Sequence, residues 1–410
     1  MQPASIDAHK NEDPREKLLA VEREIASRVF EREEEIRGFI VGLIVRAHVL
    51  FLGKKGAAKS MLGRLLSDAI SWNDVPEGQD PYFRTQLGRD SILDELFGPT
   101  SAKGFENDTF RRNTTGMLSE AKLGLIEEIY KSNPTVLNRL LTLLNEGLFK
   151  NGTDPERPVP LRLVVGTSNE LPDERDDALD AFHDRFLLRY DVDYIRNPAN
   201  RRKMMERANS GIGREPISPV MDEEDLDRAR EEALKVDASP VFDAVDEILA
   251  KLADLEIEPS DRRRESLVYL VKAQAYMNGR ASATRADLDI LAHALWEDPD
   301  QKPAVSEIVL RQADPHAASA RDRFDRATDS YSKAMKAHRE AAADPEDEEL
   351  REAESTAGLN ANVALKHASD KLLELRKDAE ADGTDTGLID DFVQRIAAMN
   401  EEVTQKCLGI

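Results

Sequence analysis

The chain has 410 residues, 40% of them hydrophobic, which is enough for two or three domains with buried cores. Its formal net charge of -23 opposes binding to nucleic-acid phosphates and anionic membranes, so neither is expected as a main partner. The single cysteine, Cys407, excludes an internal disulfide or a cluster of thiolate ligands, and the lack of a signal peptide or a long apolar stretch predicts a cytoplasmic protein without a membrane span.

Apolar strands alternate with helices in the first half of the chain. Apolar runs predict strands at 48–52, 122–130 and 161–170, and helical periodicity predicts two helices within 16–45 and further helices at 61–70 and 132–147. Gly147 is placed to end the last of these helices. Fully apolar strands that alternate with helices indicate a parallel sheet covered on both faces, which is an α/β fold.

The second half of the chain shows helical patterns only. Between Asn197 and Trp296 the helices have charged faces and no strand signal interrupts them. After Pro303 three alanine-rich and charged stretches carry apolar residues at three- and four-residue steps, which predicts a coiled-coil-like module of three helices. The predicted domains are an α/β nucleotide-binding domain at 15–196, an all-α lid domain at 197–303 and a helical module at 304–410.

The stretch GKKGAAKS, residues 53–60, follows the first predicted strand and precedes a helix. It fits the phosphate-loop pattern G-x-x-x-x-G-K-[ST] except at Ala58, and the strand and helix around it favour a nucleotide site over a chance surface loop. We expect the Ala58 methyl to cost little, because the position should belong to the first turn of the helix. The predicted nucleotide contacts are Gly53, Gly56, Ala57, Ala58, Lys59, Ser60 and Met61.

Three polar residues lie near the carboxyl ends of two of the predicted strands. Glu127 and Glu128 lie near the end of the strand at 122–130, and Asn169 lies near the end of the strand at 161–170. Ligands of open α/β sheets bind outside the carboxyl ends of the strands, so Glu127 is predicted to hold Mg²⁺ with Ser60, and Glu128 to polarise the attacking water. Asn169 would orient that water or the γ-phosphate. The alternative for each residue is an ordinary solvated strand end.

Several arginines are candidates for stabilising transition-state charge. Arg185, which we place near the end of a helix, is the first candidate for an arginine finger acting in a neighbouring subunit, with Arg175 and Arg189 as competitors. Arg262 and Arg263 start a helix of the second domain, where positive charge is unfavourable for the helix dipole. Either could reach the nucleotide when that domain closes, and the sequence does not choose between them.

This set of motifs resembles the MoxR group of AAA+ ATPases, and within it the RavA subfamily. The resemblance covers roughly residues 15–300 and rests on HVLFLGKKGAAKS (48–60), ELFGPTS (95–101), GMLSEAKLGLIEEIYKSNPTVLNRLLTLLNEGLFKNG (116–152), RLVVGTSNELP (162–172), ALDAFHDRFLLR (178–189), and SDRRR with NGR (260–264 and 278–280). The RavA subfamily tolerates alanine before the lysine. Glu127 departs from the aspartate usual in the family, and Lys54 and Lys55 replace its usual prolines.

The resemblance implies an AAA+ P-loop fold and a role for each motif residue. Lys59, Ser60, Glu127, Glu128, Asn169, Arg185 and Arg262 would be, in turn, the phosphate contact, the Mg²⁺ ligand, the second metal-side acid, the catalytic base, the first sensor, the trans-acting finger and the lid sensor. Residues 29–36 would face the adenine. A helix insertion at 88–118 and a hairpin at 150–160 would point toward the pore of a ring.

RavA-like proteins imply a homo-oligomer, with a hexamer as the expected ring, and a partner with a von Willebrand factor A domain. The β-rich domain inserted in the helical module of that subfamily is absent from 304–410. The main hypothesis is therefore an Mg²⁺-dependent ATPase that remodels a protein client, as a chaperone or in complex assembly. The alternative is a nucleotide-dependent scaffold with little hydrolysis; the net charge argues against a third, a DNA or RNA motor.

Overall fold

The computed structural model describes residues 13–102, 104, 109–169, 171, 177–210 and 217–409. These residues form two compact units. One unit contains the described residues up to Asp243 together with 253–302, and the other contains 244–252 together with the described residues from Pro303 onward. The predicted domain boundaries at 196/197 and 303/304 stay predictions. No helix in the described part of the chain is long and apolar enough to cross a membrane.

The first unit is built on parallel strands. The strands, in chain order, are β1 His48–Gly53, β2 Ile70–Ser71, β3 Tyr82–Gln86, β4 Leu123–Glu127, β5 Leu148–Phe149, β6 Arg157–Pro158, β7 Leu163–Ser168, β8 Phe186–Val192 and β9 Met221–Asp222. Five of them form one parallel sheet in the order β3-β4-β7-β1-β8. The apolar side chains of β1, β4 and β7 are buried, as expected for a parallel sheet covered by helices.

Helices surround this sheet and form the second unit. The helices are α1 Pro14–Ala26, α2 Glu33–Val45, α3 Lys59–Asp68, α4 Leu93–Phe97, α5 Pro134–Glu146, α6 Asp177–His183, α7 Pro198–Ser210, α8 Glu223–Lys235, α9 Phe242–Ala253, α10 Asp261–Met277, α11 Lys302–Ala313, α12 Pro315–Ala343, α13 Glu348–Asp382 and α14 Gly387–Cys407. The α/β fold, the three apolar strands, the helices of the first half and the end of α5 at Gly147 are confirmed.

The strand register decides which residues meet at the edge of the sheet. Gln86 of β3 lies opposite Glu127 of β4, Glu127 lies opposite Thr167 of β7, and Leu52 of β1 lies opposite Ser168. The carboxyl ends of four parallel strands therefore meet at one edge. This edge is where the phosphate loop leaves β1.

Two strands of the main sheet escaped the sequence prediction. β3 reads YFRTQ, and its charged and polar residues hide it from a search for apolar runs. β8 reads FLLRYDV, and Arg189 in its middle made the segment look like the continuation of a helix. The helix instead ends at His183, and Arg185 lies between the helix and β8. A two-residue strand, β9, also lies where only helices were expected and pairs with β2.

Two predicted surface elements of the first unit are described in part. β5 and β6 pair as an antiparallel hairpin, which matches the hairpin expected at 150–160. The predicted helix insertion at 88–118 contains α4, and some of its residues lie outside the described part of the chain.

The three helices predicted for the module at 304–410 are present as α12, α13 and α14, but the structure adds a fourth helix, α11, which the sequence prediction did not contain. α12, α13 and α14 pack around a core rich in alanine, in which Phe324 and Phe392 stack with their ring centroids 4.5 Å apart. Asp347 caps the start of α13 with two backbone N–H bonds, and Gly383 ends that helix in the left-handed conformation. The acidic stretch DPEDEE (344–349) and the stretch DGTDTG (382–387), which separate the three helices in the sequence, therefore contain helix caps.

Candidate active site

The phosphate loop follows β1 with a backbone that requires glycine at its first position. Gly53 has φ of 120°, and a Cβ there would lie 2.1 Å from the carbonyl oxygen of Val192. Gly56 has φ of 81° and faces open space. These left-handed conformations allow successive N–H groups to face an anion at the start of α3. The loop therefore has the backbone that a phosphate site needs.

Ala58 also has a left-handed backbone, so the expectation that it belongs to the first helical turn is wrong. Its φ is 65° and its ψ is 12°, and it stands before α3 as the N-cap residue. A Cβ in the left-handed region costs about 1–2 kcal/mol, because it approaches the following carbonyl oxygen. The alanine therefore carries a backbone cost that glycine, the usual residue of the motif, would avoid.

Replacement of Ala58 by glycine is expected to raise the free energy of unfolding of the first unit by about 1 kcal/mol. Glycine also stabilises the unfolded chain, by about 0.4–1 kcal/mol, because it gives that chain more conformational entropy. The relief of the left-handed strain in the folded state is larger. The matched control is Ala57→Gly, because Ala57 is buried and is not among the residues with positive φ. That change should lower stability.

Urea unfolding followed by tryptophan fluorescence measures both variants. The chain has two tryptophans, Trp72 and Trp296, and both lie in the first unit. The same sign of change in both variants would contradict the left-handed assignment of Ala58.

Lys59 is held at the edge of the sheet by main-chain oxygens. Its Nζ donates to the carbonyl oxygen of Gly53 and, at 3.1 Å, to that of Ser168. Burial lowers the pKa of Lys59, while the nearby carboxylate of Glu128 acts in the opposite direction. An ammonium group has three donors, so this lysine can still bind a phosphate oxygen.

Ser60 and Glu127 provide a set of oxygen donors suited to Mg²⁺. The Ser60 hydroxyl donates to Glu127 Oε1, which shows that the longer glutamate side chain reaches the serine directly. Hydroxyl and carboxylate oxygens are ligands that Mg²⁺ prefers, so the residues fit this ion. Glu127 Oε2 accepts from Arg84, at 3.1 Å from Nε and 2.9 Å from Nη2. Sequence reasoning missed Arg84 because it missed β3.

Glu128 lines the same cavity as Ser60 and Glu127 and has a strained, enclosed position. Its φ is 55° and the residue is 7% exposed. Asn169 Nδ2 donates to Glu128 Oε1 at 2.6 Å, and Lys131 Nζ lies 3.0 Å from Oε2. Strained backbone in a non-glycine residue is typical of catalytic sites. The structure therefore brings the predicted base and the predicted first sensor into direct contact.

Two adjacent cavities share the phosphate loop. A polar cavity of about 420 Å³ is lined by the loop and by the ends of β3, β4 and β7, including Glu127, Glu128 and Asn169. A less polar cavity of about 240 Å³ is lined by Val29, Phe30 and several other residues around the loop. The predicted adenine segment, 29–36, thus contributes its first residues to the second cavity.

Arg185 and Arg262 lie together near the amino ends of β1 and β8, at the opposite end of these strands from the phosphate loop. They line a cavity of about 170 Å³ beside His48, the first residue of β1. Among the residues that the structure describes, no carboxylate forms a salt bridge with either guanidinium. From Phe186 to Val192, β8 covers about 20 Å at about 3.3 Å per residue, so this cavity is far from the phosphate loop of the same chain.

Arg189 and Arg263 make internal contacts that stabilise the fold. Arg189 is completely buried and donates to the carbonyl oxygens of Trp296 and His183, and burial lowers its pKa to about 9.

Arg263 is 3% exposed and ion-paired to Asp184, with Nε 3.0 Å from Oδ1. Four further bonds join Arg263 to main-chain oxygens of Asp184, Phe186, Leu187 and Ala294. The structure therefore does not bring Arg263 to the phosphate cavity. Arg175 lies outside the described residues.

Comparisons with known proteins agree with this arrangement. The family profile described as the MoxR domain in the MoxR-vWA-beta-propeller ternary systems matches residues 16–225, and an AAA lid domain profile matches 240–309. Two uncharacterised proteins of Methanocaldococcus jannaschii are 38% and 36% identical, over 74% and 75% of this chain and 78% and 77% of their own lengths. A crystal structure of a candidate ATPase from Cytophaga hutchinsonii has a similar fold, with a TM-score of 0.59 and 19% identity over 73% of this chain and 94% of that one.

The parallel sheet, the phosphate loop after its first strand and the matched lid domain define an AAA+ ATPase. Within that class, the chain belongs to the MoxR family.

Proposed function

We propose that this protein is an Mg²⁺-dependent, ring-forming ATPase that remodels a protein client. Within each copy, Lys59 binds the phosphates, and Ser60 and Glu127 hold the metal, which neutralises phosphate charge when bound. Glu128 takes the proton of the attacking water while Asn169 keeps its carboxylate oriented. This division of roles uses side chains that line one polar cavity.

The position of Arg185 is the observation that supports assembly into a ring. It has no salt-bridge partner among the described residues, and about 20 Å of β8 separates it from the phosphate loop of its own chain. At that distance Arg185 cannot reach the nucleotide of its own chain, so a role in the reaction requires the site of a neighbouring copy. Arg262 lines the same cavity, so we propose that it also acts in trans and not by closing over its own nucleotide.

The family description supports a partner protein. The matched profile belongs to systems that combine a MoxR domain with a von Willebrand factor A domain and a β-propeller. We propose that a protein with a von Willebrand factor A domain delivers or selects the client. The affiliation with the RavA subfamily and the hexameric stoichiometry remain predictions from sequence motifs.

A nucleotide-dependent scaffold is the second candidate function, and the Arg84 contact favours it. Two guanidinium N–H groups bind the same oxygen of Glu127, so Arg84 competes with a metal for this carboxylate. A weakly held metal would allow ATP binding and assembly with slow hydrolysis.

The dependence of ATP turnover on assembly separates the two functions. Phosphate release per copy, measured with Mg²⁺ across a range of protein concentrations, is expected to rise together with the oligomer fraction from light scattering, because Arg185 must come from a neighbour. Omission of Mg²⁺ is the control for contaminating activity. Full assembly with turnover no higher than that of the metal-free control would favour the scaffold.

A further inference from the structure

Three side chains with different ligand atoms meet in the second unit. His338 lies on α12, Glu354 on α13 and Cys407 on α14, and their ligand atoms all lie within 4.8 Å of one another. His338 Nδ1 is 2.6 Å from Glu354 Oε1. Each of the three packed helices thus contributes one imidazole nitrogen, one carboxylate oxygen or one thiol to the same point.

A glycine allows the cysteine to reach this point. Gly358 lies one helical turn after Glu354, inside the 35-residue helix α13, and a Cβ on it would lie 2.8 Å from Cys407 Cβ. Glycine inside a helix is unfavourable relative to alanine. The close approach of α14 to α13 that this residue permits places the thiol beside the carboxylate.

The surroundings of the three side chains are partly enclosed. The side chains of His338 and Glu354 are 29% and 17% exposed, and Cys407 is 8% exposed. A small ion can therefore reach the imidazole and the carboxylate from solvent, and the thiol lies within 4.8 Å of both. The acidic charge of Glu354 and of the nearby Glu402 favours a cation at this point.

We propose that His338, Glu354 and Cys407 bind one divalent transition-metal ion, and that Zn²⁺ suits them best. Zn²⁺ accepts nitrogen, carboxylate oxygen and thiolate sulfur at about 2.0–2.3 Å, whereas Mg²⁺ and Ca²⁺ select sites made of oxygen alone. Binding requires the His338–Glu354 hydrogen bond to open around the ion. Three protein ligands leave the fourth position for water or for a donor from another molecule.

Binding must displace the thiol proton. Burial raises the pKa of Cys407, and the carboxylates of Glu354 and Glu402 raise it further against the smaller effect of Lys406. The free thiol therefore keeps its proton at neutral pH, and the ion competes with that proton.

Cobalt is the direct probe of this site. Co²⁺ bound to a thiolate gives a charge-transfer absorption in the near ultraviolet, and Cys407 is the only cysteine of the chain. The nucleotide site offers oxygen ligands, so Co²⁺ bound there gives no such band. Titration of the full-length chain, after treatment with a chelator, should produce the band, and added Zn²⁺ should remove it.

Variants test each ligand. Cys407→Ser should abolish the band, and His338→Gln and Glu354→Gln should each weaken Co²⁺ binding by more than about tenfold, a loss that changes in the outer shell already cause. The matched control is His367→Gln, because His367 is an exposed histidine on α13 and should leave binding unchanged.

Two results would overturn the site. One is the absence of a thiolate band in the wild-type chain whose helical circular dichroism is intact. The other is a band of unchanged affinity in the folded double variant His338→Gln, Glu354→Gln, since the thiol alone would then account for it.

Discussion

Glu128→Gln is expected to lower ATP turnover by about 10²–10⁴-fold while ATP stays bound. Glu128 is enclosed, and its carboxylate is oriented by Asn169 at 2.6 Å, so it is placed to take a proton from water in the polar cavity. The amide of glutamine keeps the size and the hydrogen-bond capacity of the side chain and cannot accept that proton. The loop residues that bind the phosphates are not changed.

Phosphate release and the nucleotide retained after gel filtration measure the two parts of this prediction. Glu146→Gln is the matched control, because Glu146 is an exposed glutamate at the end of α5 in the same unit. It should leave both quantities unchanged. Normal turnover in the Glu128 variant would remove the catalytic assignment, and loss of bound ATP would instead make Glu128 a binding residue.

Arg185→Ala is expected to lower turnover by about 10³-fold or more, the usual loss for an arginine finger, without a comparable loss of ATP affinity. Lys59→Ala should lower turnover by removing the phosphate contact within the same chain. Since the two residues serve one nucleotide from two different copies, a mixture of the two variants should regain activity. A copy that keeps Lys59 then meets a neighbour that keeps Arg185.

Mixed rings, isolated through two different tags, test this complementation by their phosphate release. The control mixes Lys59→Ala with the double variant Lys59→Ala, Arg185→Ala, in which no copy keeps Lys59 and no interface is complete. Mixed rings as inactive as this control would contradict action in trans. Full turnover of Arg185→Ala alone would exclude the residue from the reaction.

The phosphate loop could be predicted from local sequence, but not its detailed backbone conformation. The pattern of residues 53–60 after an apolar strand was sufficient to predict the nucleotide site, because strand, loop and helix are neighbours in the chain. The conformation of Ala58 was not predicted correctly. Its φ depends on how the loop closes between β1 and α3, and the sequence pattern does not contain that angle.

The roles of the arginines, in contrast, depend on tertiary packing. From the sequence, Arg185 was the first finger candidate with Arg175 and Arg189 as competitors, and Arg262 and Arg263 could not be told apart as lid residues. The sequence does not show whether an arginine is buried or exposed. Packing separates them. Arg189 and Arg263 donate hydrogen bonds to main-chain oxygens, and Arg263 also pairs with Asp184. Arg185 and Arg262 instead line a cavity at the amino ends of the strands, away from the phosphate loop.

The sequence by itself determined the three apolar strands β1, β4 and β7, the phosphate loop, Glu127, Glu128 and the three long helices, because these depend on periodicity and on neighbours in the chain. Only the tertiary structure decided that Arg84 holds Glu127, and that His338, Glu354 and Cys407 meet. Those contacts join elements far apart in sequence. They depend on strand register and helix packing, which the residues of a single segment cannot specify.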